Sequence, residues 1–244
     1  MSQARQRLAV IVPAFMEERE VEESLKRLLT VLDTVDMAAT VTVVVDGSPD
    51  ATEERVRRIS DSRLSVISYA QNQGKGYALK HGCLASMNEA DFVCFADADL
   101  DLNPSAIPSL LAILQLDGAD AVVGSKTHPN SILSYPWMRR VQSSVFRVII
   151  RRMFDLNVSD TQTGLKVFRR ELLSACLESV ESKGFAFDLE LLALARIHGF
   201  TVVEGPIELT YNFSTTTGLR AVGQVLGDIW KIKGRLRGAR ATSK

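Results

Sequence analysis

The sequence predicts an α/β protein built on a largely parallel sheet. Three observations carry this. Short apolar runs alternate with segments of helical period, and most runs end in a polar or glycine-bearing segment. The 46% hydrophobic content over 244 residues is also enough for one substantial core shared by two lobes.

In chain order, residues 8–12, 41–45, 64–67, 92–96 and 121–123 read as strands, mostly buried on both faces because they lack a polar alternation. Between them, residues 21–32, 51–59, 77–87 and 105–114 carry apolar positions at helical spacing behind polar caps. Repeated β-α units of this kind require right-handed crossovers and place the strands parallel. After about residue 125 the pattern changes: a basic amphipathic stretch over 137–154, a glycine-containing segment over 160–166, a helix over 188–198 and strands near 201–211. A last helical stretch, 219–236, runs into a basic tail. The expected organisation is one domain in two halves, 1–125 and 126–218, closed by the segment 219–244.

Composition excludes several classes. A formal net charge of +0 gives no global attraction to nucleic acid, which is not expected as a partner, so any anion has to meet a local basic patch. Cys83, Cys94 and Cys176 are odd in number and set among apolar residues, which suits buried reduced thiols. His81, His128 and His198 have no paired spacing for zinc. The polar start Ser2-Gln3-Ala4-Arg5 is unlike a secretory signal, and no apolar run approaches the roughly 20 residues needed to cross a bilayer. A cytoplasmic, peripheral protein is the expectation.

In open parallel sheets, ligands gather beyond the carboxyl ends of the strands. The unusual chemistry of this chain falls there. The first strand runs into Pro13-Ala14-Phe15-Met16-Glu17, the second into Asp46-Gly47-Ser48-Pro49-Asp50, the third reaches Asn72-Gln73-Gly74-Lys75-Gly76, and the fourth ends in Asp97-Ala98-Asp99. Asp97 and Asp99 at one sheet edge repel unless a hard divalent cation is shared between them, and Asp101 joins if the chain turns there. The two glycines around Lys75 allow close backbone approach and bring an ammonium near phosphate. That loop lacks the spacing and the Lys-Ser/Thr ending of a Walker A segment, which argues against an ATPase. Asp46 is placed to accept hydrogen bonds from a base or ribose, because Asp50 is the better cap for the helix that follows.

These blocks, in this order, resemble the family 2 glycosyltransferases of the GT-A fold, and more closely the polyprenyl or dolichyl phosphate mannose and glucose synthases. Pro13-Ala14-Phe15-Met16-Glu17-Glu18 is similar to the family's Pro-Ala-Tyr-Asn-Glu-Glu, and Val45-Asp46-Gly47-Ser48-Pro49-Asp50 to its Asp-Asp-Gly-Ser-x-Asp. Asn72 to Gly76, Asp97-Ala98-Asp99-Leu100 and Gly124-Ser125-Lys126 match as well. Further along, Arg139 with Ser143 resembles the family's Arg-x-x-x-Ser acceptor segment, and Asp160-Thr161-Gln162-Thr163-Gly164-Leu165-Lys166 resembles the glucose synthases' Asp-Thr-Gln-Cys-Gly-Phe-Lys. Phe187-Asp188-Leu189-Glu190 matches a later block. Departures are Met16 for Asn, Val45 for Asp, Lys126 for Arg, and Asp101 where relatives often carry Gln.

The resemblance implies a nucleotide-sugar-binding half (1–125) and an acceptor half (126–218). It implies donor-side contacts from Pro13, Ala14, Phe15, Glu17, Asp46, Lys75, Asp97, Ala98, Lys126 and Ser143, and Mg²⁺ or Mn²⁺ held by Asp99 and Asp101 with Asp97. The donor is expected to be UDP-glucose or GDP-mannose, the Gln162 segment leaning toward the former, and the acceptor a polyprenyl phosphate. Such a phosphate is already anionic near neutral pH, with a second ionisation at about 6, so Asp99, Arg139 and Lys166 are expected to do the catalytic positioning rather than a strong base. Arg139, Lys126 and Lys166 are the expected grip on the acceptor phosphate. Basic residues interleaved with Trp137, Phe146 and Phe154, and again with Trp230 in 219–236, read as interfacial helices drawn to an anionic membrane surface. The alternative is packing on the core or in a homodimer. Rival functions are transfer to a soluble or glycan acceptor, a catalytically silent nucleotide-sugar-binding membrane scaffold, and a nucleotidyltransferase.

Overall fold

Strand β1 (Arg7–Ala14) shows why the sheet must be covered on both sides. Leu8, Val10, Val12 and Ala14 enter one buried cluster, Ala9 and Ile11 the other, so helices are required on both faces. The computed structural model describes residues 5–99, 103–134, 154, 156–158, 160–184, 186–210 and 231–235. The expected ligand Asp101, the acceptor residues Arg139 and Ser143, and most of the two amphipathic stretches lie outside these residues.

From β1 the chain passes through α1 (Val21–Leu32), β2 (Ala38–Asp46), α2 (Thr52–Arg57), β3 (Leu64–Tyr69), α3 (Lys75–Ser86) and β4 (Phe92–Phe95). Helix α4 (Ile107–Leu116) then leads to β5 (Ala121–Ser125). All nine elements fall on the segments read from the sequence, with ends moved by a few residues. Two of those shifts touch the site: β1 takes in Pro13 and Ala14, and α3 starts at Lys75.

Strands β7 (Lys166–Arg169), β8 (Val202–Pro206), β6 (Ile132–Ser134) and β9 (Glu208–Thr210), with α5 (Arg170–Cys176) and α6 (Phe187–Ile197), complete the described fold. The main sheet has seven strands in the order β3-β2-β1-β4-β7-β5-β8, and β6 pairs with β9 in a second sheet. Among the described strands of the main sheet, only β7 runs against its neighbours, β4 and β5. Strands β6 and β7 and helix α5 have no counterpart in the sequence reading. Three or four residues carry too little periodicity to be read alone, and β7 exists because β4 and β5 leave a gap for it.

Strand order reverses between β1 and β4, making a topological switch point where crevices form at the strands' carboxyl ends. Because β7 is antiparallel and aligns Lys166 with Phe95, its first residue and the loop before it arrive at that same end. Helix α6 is buried from Phe187 through Ala195. Phe154 and Ile232, from the two stretches expected to lie on a membrane, are both buried in the core cluster beside it. At these positions the alternative, packing on the protein, holds.

Candidate active site

The four strand exits close into one site, joined by hydrogen bonds. Exits of β1 and β2 meet where the backbone N–H of Met16 donates to Ser48 Oγ at 2.8 Å, that of Glu17 to Thr52 Oγ1 at 2.9 Å, and that of Glu18 to Asp50 at 3.2 Å. Asp50 also accepts from Thr52 N at 3.1 Å; because α2 starts at Thr52 with Ala51 as its N-cap, Asp50 stands one residue before the cap position expected for it and still holds the first helical amide. Exits of β2 and β3 meet at Asp46, and those of β3 and β4 where the Lys75 ammonium pairs with the Asp97 carboxylate.

Met16 takes a positive φ of 60° and is 61% exposed beside half-exposed Phe15. Asn, which the resembling motif has at this place, tolerates this left-handed backbone better, and a long side chain there costs about 1 kcal/mol. The motif position therefore marks a turn, which Met16 fills under strain.

Asp46 corrects the sequence expectation. It is 2% exposed, and its two oxygens accept from the backbone amides of Gln73 and Gly74 at 2.7 and 2.8 Å. Its carboxylate holds the glycine loop in place instead of standing free for a base or ribose. Gly47, at φ 59°, has no room for a side chain against the backbone of Gln71 and Asn72, so the same contact explains that glycine.

Ala96 and Ala98 pack into the core, and Asp97 and Asp99 between and beyond them are only partly covered. Burial opposes ionisation of Asp97, but the Lys75 ammonium, with Lys166 and Lys126 behind it, outweighs that and holds the carboxyl below its usual range. Lys75 is the mirror case: burial disfavours its charge, while Asp97, Asp188 and Asp99 raise its pKa. Gly164 lies against Asp97 so closely that a Cβ would overlap the carboxylate.

Lys166 is the second correction. Expected to grip an acceptor phosphate, it is 1% exposed, pairs with Asp188 at 2.9 Å and donates to the carbonyl of Thr163. A buried, paired ammonium acts on Asp97 only through its field. Lys126 remains half-exposed at the rim, with its backbone N–H on Asp160 at 3.3 Å.

Glu17 reports the charge of the whole site. Burial first, then the charges of Asp99, Glu20, Asp97 and Asp50, push its carboxyl from an ordinary 4.5 up to about 7. An acid with a raised folded pKa binds its proton more tightly folded than unfolded. Stability is therefore lost as pH rises from 4.5 to about 7. Glu17→Gln is expected to raise the melting temperature relative to the parent at pH 8 and leave it unchanged at pH 4. An equal shift at both pH values would show that the Glu17 charge is not the cause.

An excess of carboxylate is what a cation site needs. Among the described residues no three His, Cys, Asp or Glu side chains form a ready cage. Mg²⁺ at nucleotide sites, however, is commonly held by one or two carboxylates plus substrate phosphates, and Asp97 and Asp99 fit that donor set. Lys75 is a stand-in cation on one of them.

A switch point between β1 and β4 with acids and lysines at the strand exits, on this strand order, is the architecture of the GT-A glycosyltransferases. Glucosyl-3-phosphoglycerate synthase from Mycobacterium tuberculosis, solved with Mn²⁺, UDP and phosphoglyceric acid, superposes with a TM-score of 0.71 at 23% identity, over 95% of this chain and 79% of that one. The glycosyl transferase family 2 model matches residues 9–177, and the chain belongs to that family; it is a glycosyltransferase. The polyprenol monophosphomannose synthase of Mycolicibacterium smegmatis is 29% identical over 246 aligned residues, 96% of this chain and 91% of that protein. Glycosyltransferase AglD of Haloferax volcanii is 28% identical over 205 residues, and this chain spans only 32% of its length.

The sequence reading missed the pairing of Glu190 with Arg235 and the contact of Gly164 with Asp97. Glu190 carried a signal, being an acid inside the apolar run from Ala186 to Ala195. An acid so placed has to find a partner.

Proposed function

We propose that this enzyme transfers glucose or mannose, with inversion, from UDP-glucose or GDP-mannose to a polyprenyl or dolichyl phosphate at a membrane surface, with Mg²⁺ or Mn²⁺ as cofactor. The observation that carries the reading is the convergence of Glu17, Asp97 and Asp99 at the switch point, where burial first and the neighbouring carboxylates second raise Glu17 to about 7. A cation bound there would offset the charge of the departing diphosphate. Asp97 and Asp99 would hold it, Lys75 beside Asp97 would meet phosphate, and the glycine loop fixed by Asp46 would bring backbone close to the donor. Phe15, 40% exposed at the mouth, offers a face to the nucleotide. The acceptor phosphate needs no strong base, so this half of the site has to orient it and tolerate its charge, which leaves Lys126 at the described rim with Arg139 and Ser143 as proposed partners. The lipid acceptor is supported by the relative in M. smegmatis, which this chain matches nearly end to end. No described helix is long and apolar enough to cross a membrane.

A melting screen with UDP-glucose, GDP-mannose, UDP and GDP, each with and without Mn²⁺, tests the donor. A ligand at a hundredfold its Kd stabilises by about 2.7 kcal/mol, and the expected result is a shift for one nucleotide series that grows with Mn²⁺. Labelled product should then partition into organic solvent when polyprenyl phosphate is supplied. No nucleotide shift sinks the donor assignment; labelled product confined to water sinks the lipid acceptor.

A further inference from the structure

Glu190 is a buried acid for which the transfer chemistry has no use. It is 1% exposed, and its carboxylate accepts from the backbone amides of Glu181 and Ser182 at 3.2 and 2.8 Å. Its remaining partner is Arg235, whose Nε and Nη2 donate to it at 3.0 and 2.6 Å. Arg235 also reaches Glu181 at 3.4 Å and Ser182 Oγ at 3.4 Å. One guanidinium near the end of the chain thus ties helix α6 to the turn that precedes it.

That turn bears on the donor site. The Lys183 carbonyl accepts the N–H of Tyr77, in the first turn of α3, at 3.0 Å, and lies 2.6 Å from where a Cβ on Gly74 would stand. The Lys183 ammonium sits over the Tyr77 ring, 5.7 Å from its centre. Gly76 has no room for a side chain against Phe187 and the Gly184 carbonyl. Gly74, Gly76 and Tyr77 are so confined; Gly74 meets Asp46, and Lys75, held between the two glycines, meets Asp97.

We infer that Arg235 is a positioning residue for the donor site: by neutralising Glu190 it fixes the 181–184 turn, which sets the Gly74–Lys75 turn against Asp97. This rests on the proposed donor site. Without the guanidinium, Glu190 is a buried carboxylate lacking a counter-charge, a costly state that the chain relieves by opening the turn toward water. The turn then ceases to confine Gly74 and Gly76, the residues on either side of Lys75. A clamp that only stabilised the fold would lower melting temperature and leave donor affinity alone.

The test compares the full-length parent with Arg235→Gln, Arg235→Lys and the double variant Arg235→Gln/Glu190→Gln. Melting temperature, calorimetric Kd for UDP and GDP with Mn²⁺, and KM for donor and acceptor are measured on each. Arg235→Gln is expected to weaken nucleotide binding and raise donor KM about tenfold, within the usual range of site-to-site coupling, with acceptor KM unchanged. Arg235→Lys keeps the charge but loses the fork, and should shift the same way by less. In the double variant the amide oxygen at position 190 still accepts from the turn and no buried charge is left, so donor affinity should largely return. A lower melting point with parental nucleotide affinity in Arg235→Gln, or no recovery in the double variant, overturns the inference. A parent that binds neither UDP nor GDP overturns the donor-site reading and the inference together, whereas equal binding by parent and Arg235→Gln overturns the inference alone.

Discussion

Replacing Asp99 with alanine is expected to lower transfer about a thousandfold, because the cation it is proposed to hold is worth several kcal/mol to the departing diphosphate. The fold should survive. The backbone carbonyl of Asp99 accepts from Ser24 Oγ at 3.3 Å, a contact independent of the side chain, and Ala98 stays packed in the core. Asp99 is also the largest single charge acting on Glu17, so its loss should bring the Glu17 carboxyl down and shrink the stability lost between pH 4.5 and about 7. Rates with and without Mn²⁺, together with melting curves at pH 5 and pH 8, check both. A fully active variant, or an activity loss that is the same with and without Mn²⁺, would remove Asp99 from the cation site.

Gly164→Ala is expected to cost about a hundredfold in turnover from one added methyl group, the usual penalty for displacing a reacting group by about 1 Å. The methyl would overlap the Asp97 carboxylate, and the loop from Asp160 to Lys166 is held too firmly to yield: Asp160, Thr161 and Thr163 are buried, and Lys166 is anchored to Asp188. Either Asp97 moves away from Lys75 or the start of β7 shifts. Overpacking of this kind costs about 1–3 kcal/mol, so melting should fall by several degrees while most molecules stay folded. Near-parental activity in Gly164→Ala would mean that the Asp97 position is not critical.

Much of the site was legible in the sequence because it is local. Each strand exit is a few residues long, and the rule that ligands meet parallel strands at their carboxyl ends gathers them without coordinates. Composition and spacing could not say which carboxylates stay free. Asp46 looked available because Asp50 was the better helix cap, yet the amides of Gln73 and Gly74, 27 and 28 residues on, hold it. Lys166 looked like a phosphate grip because it ends a glycine-bearing segment, but an antiparallel strand buries it against Asp188.

The sequence by itself determined the alternating β-α order, the four polar exits, the reduced buried cysteines and, through the ordered motifs, the family. Those follow from periodicity and residue type, which act over a few residues at a time. Only the tertiary structure decided that β7 enters between β4 and β5, that Gly164 presses on Asp97, and that Arg235 reaches Glu190 from 45 residues away. These depend on which surfaces are left over once the local elements have packed, and a buried charge takes whatever partner the completed fold brings within reach.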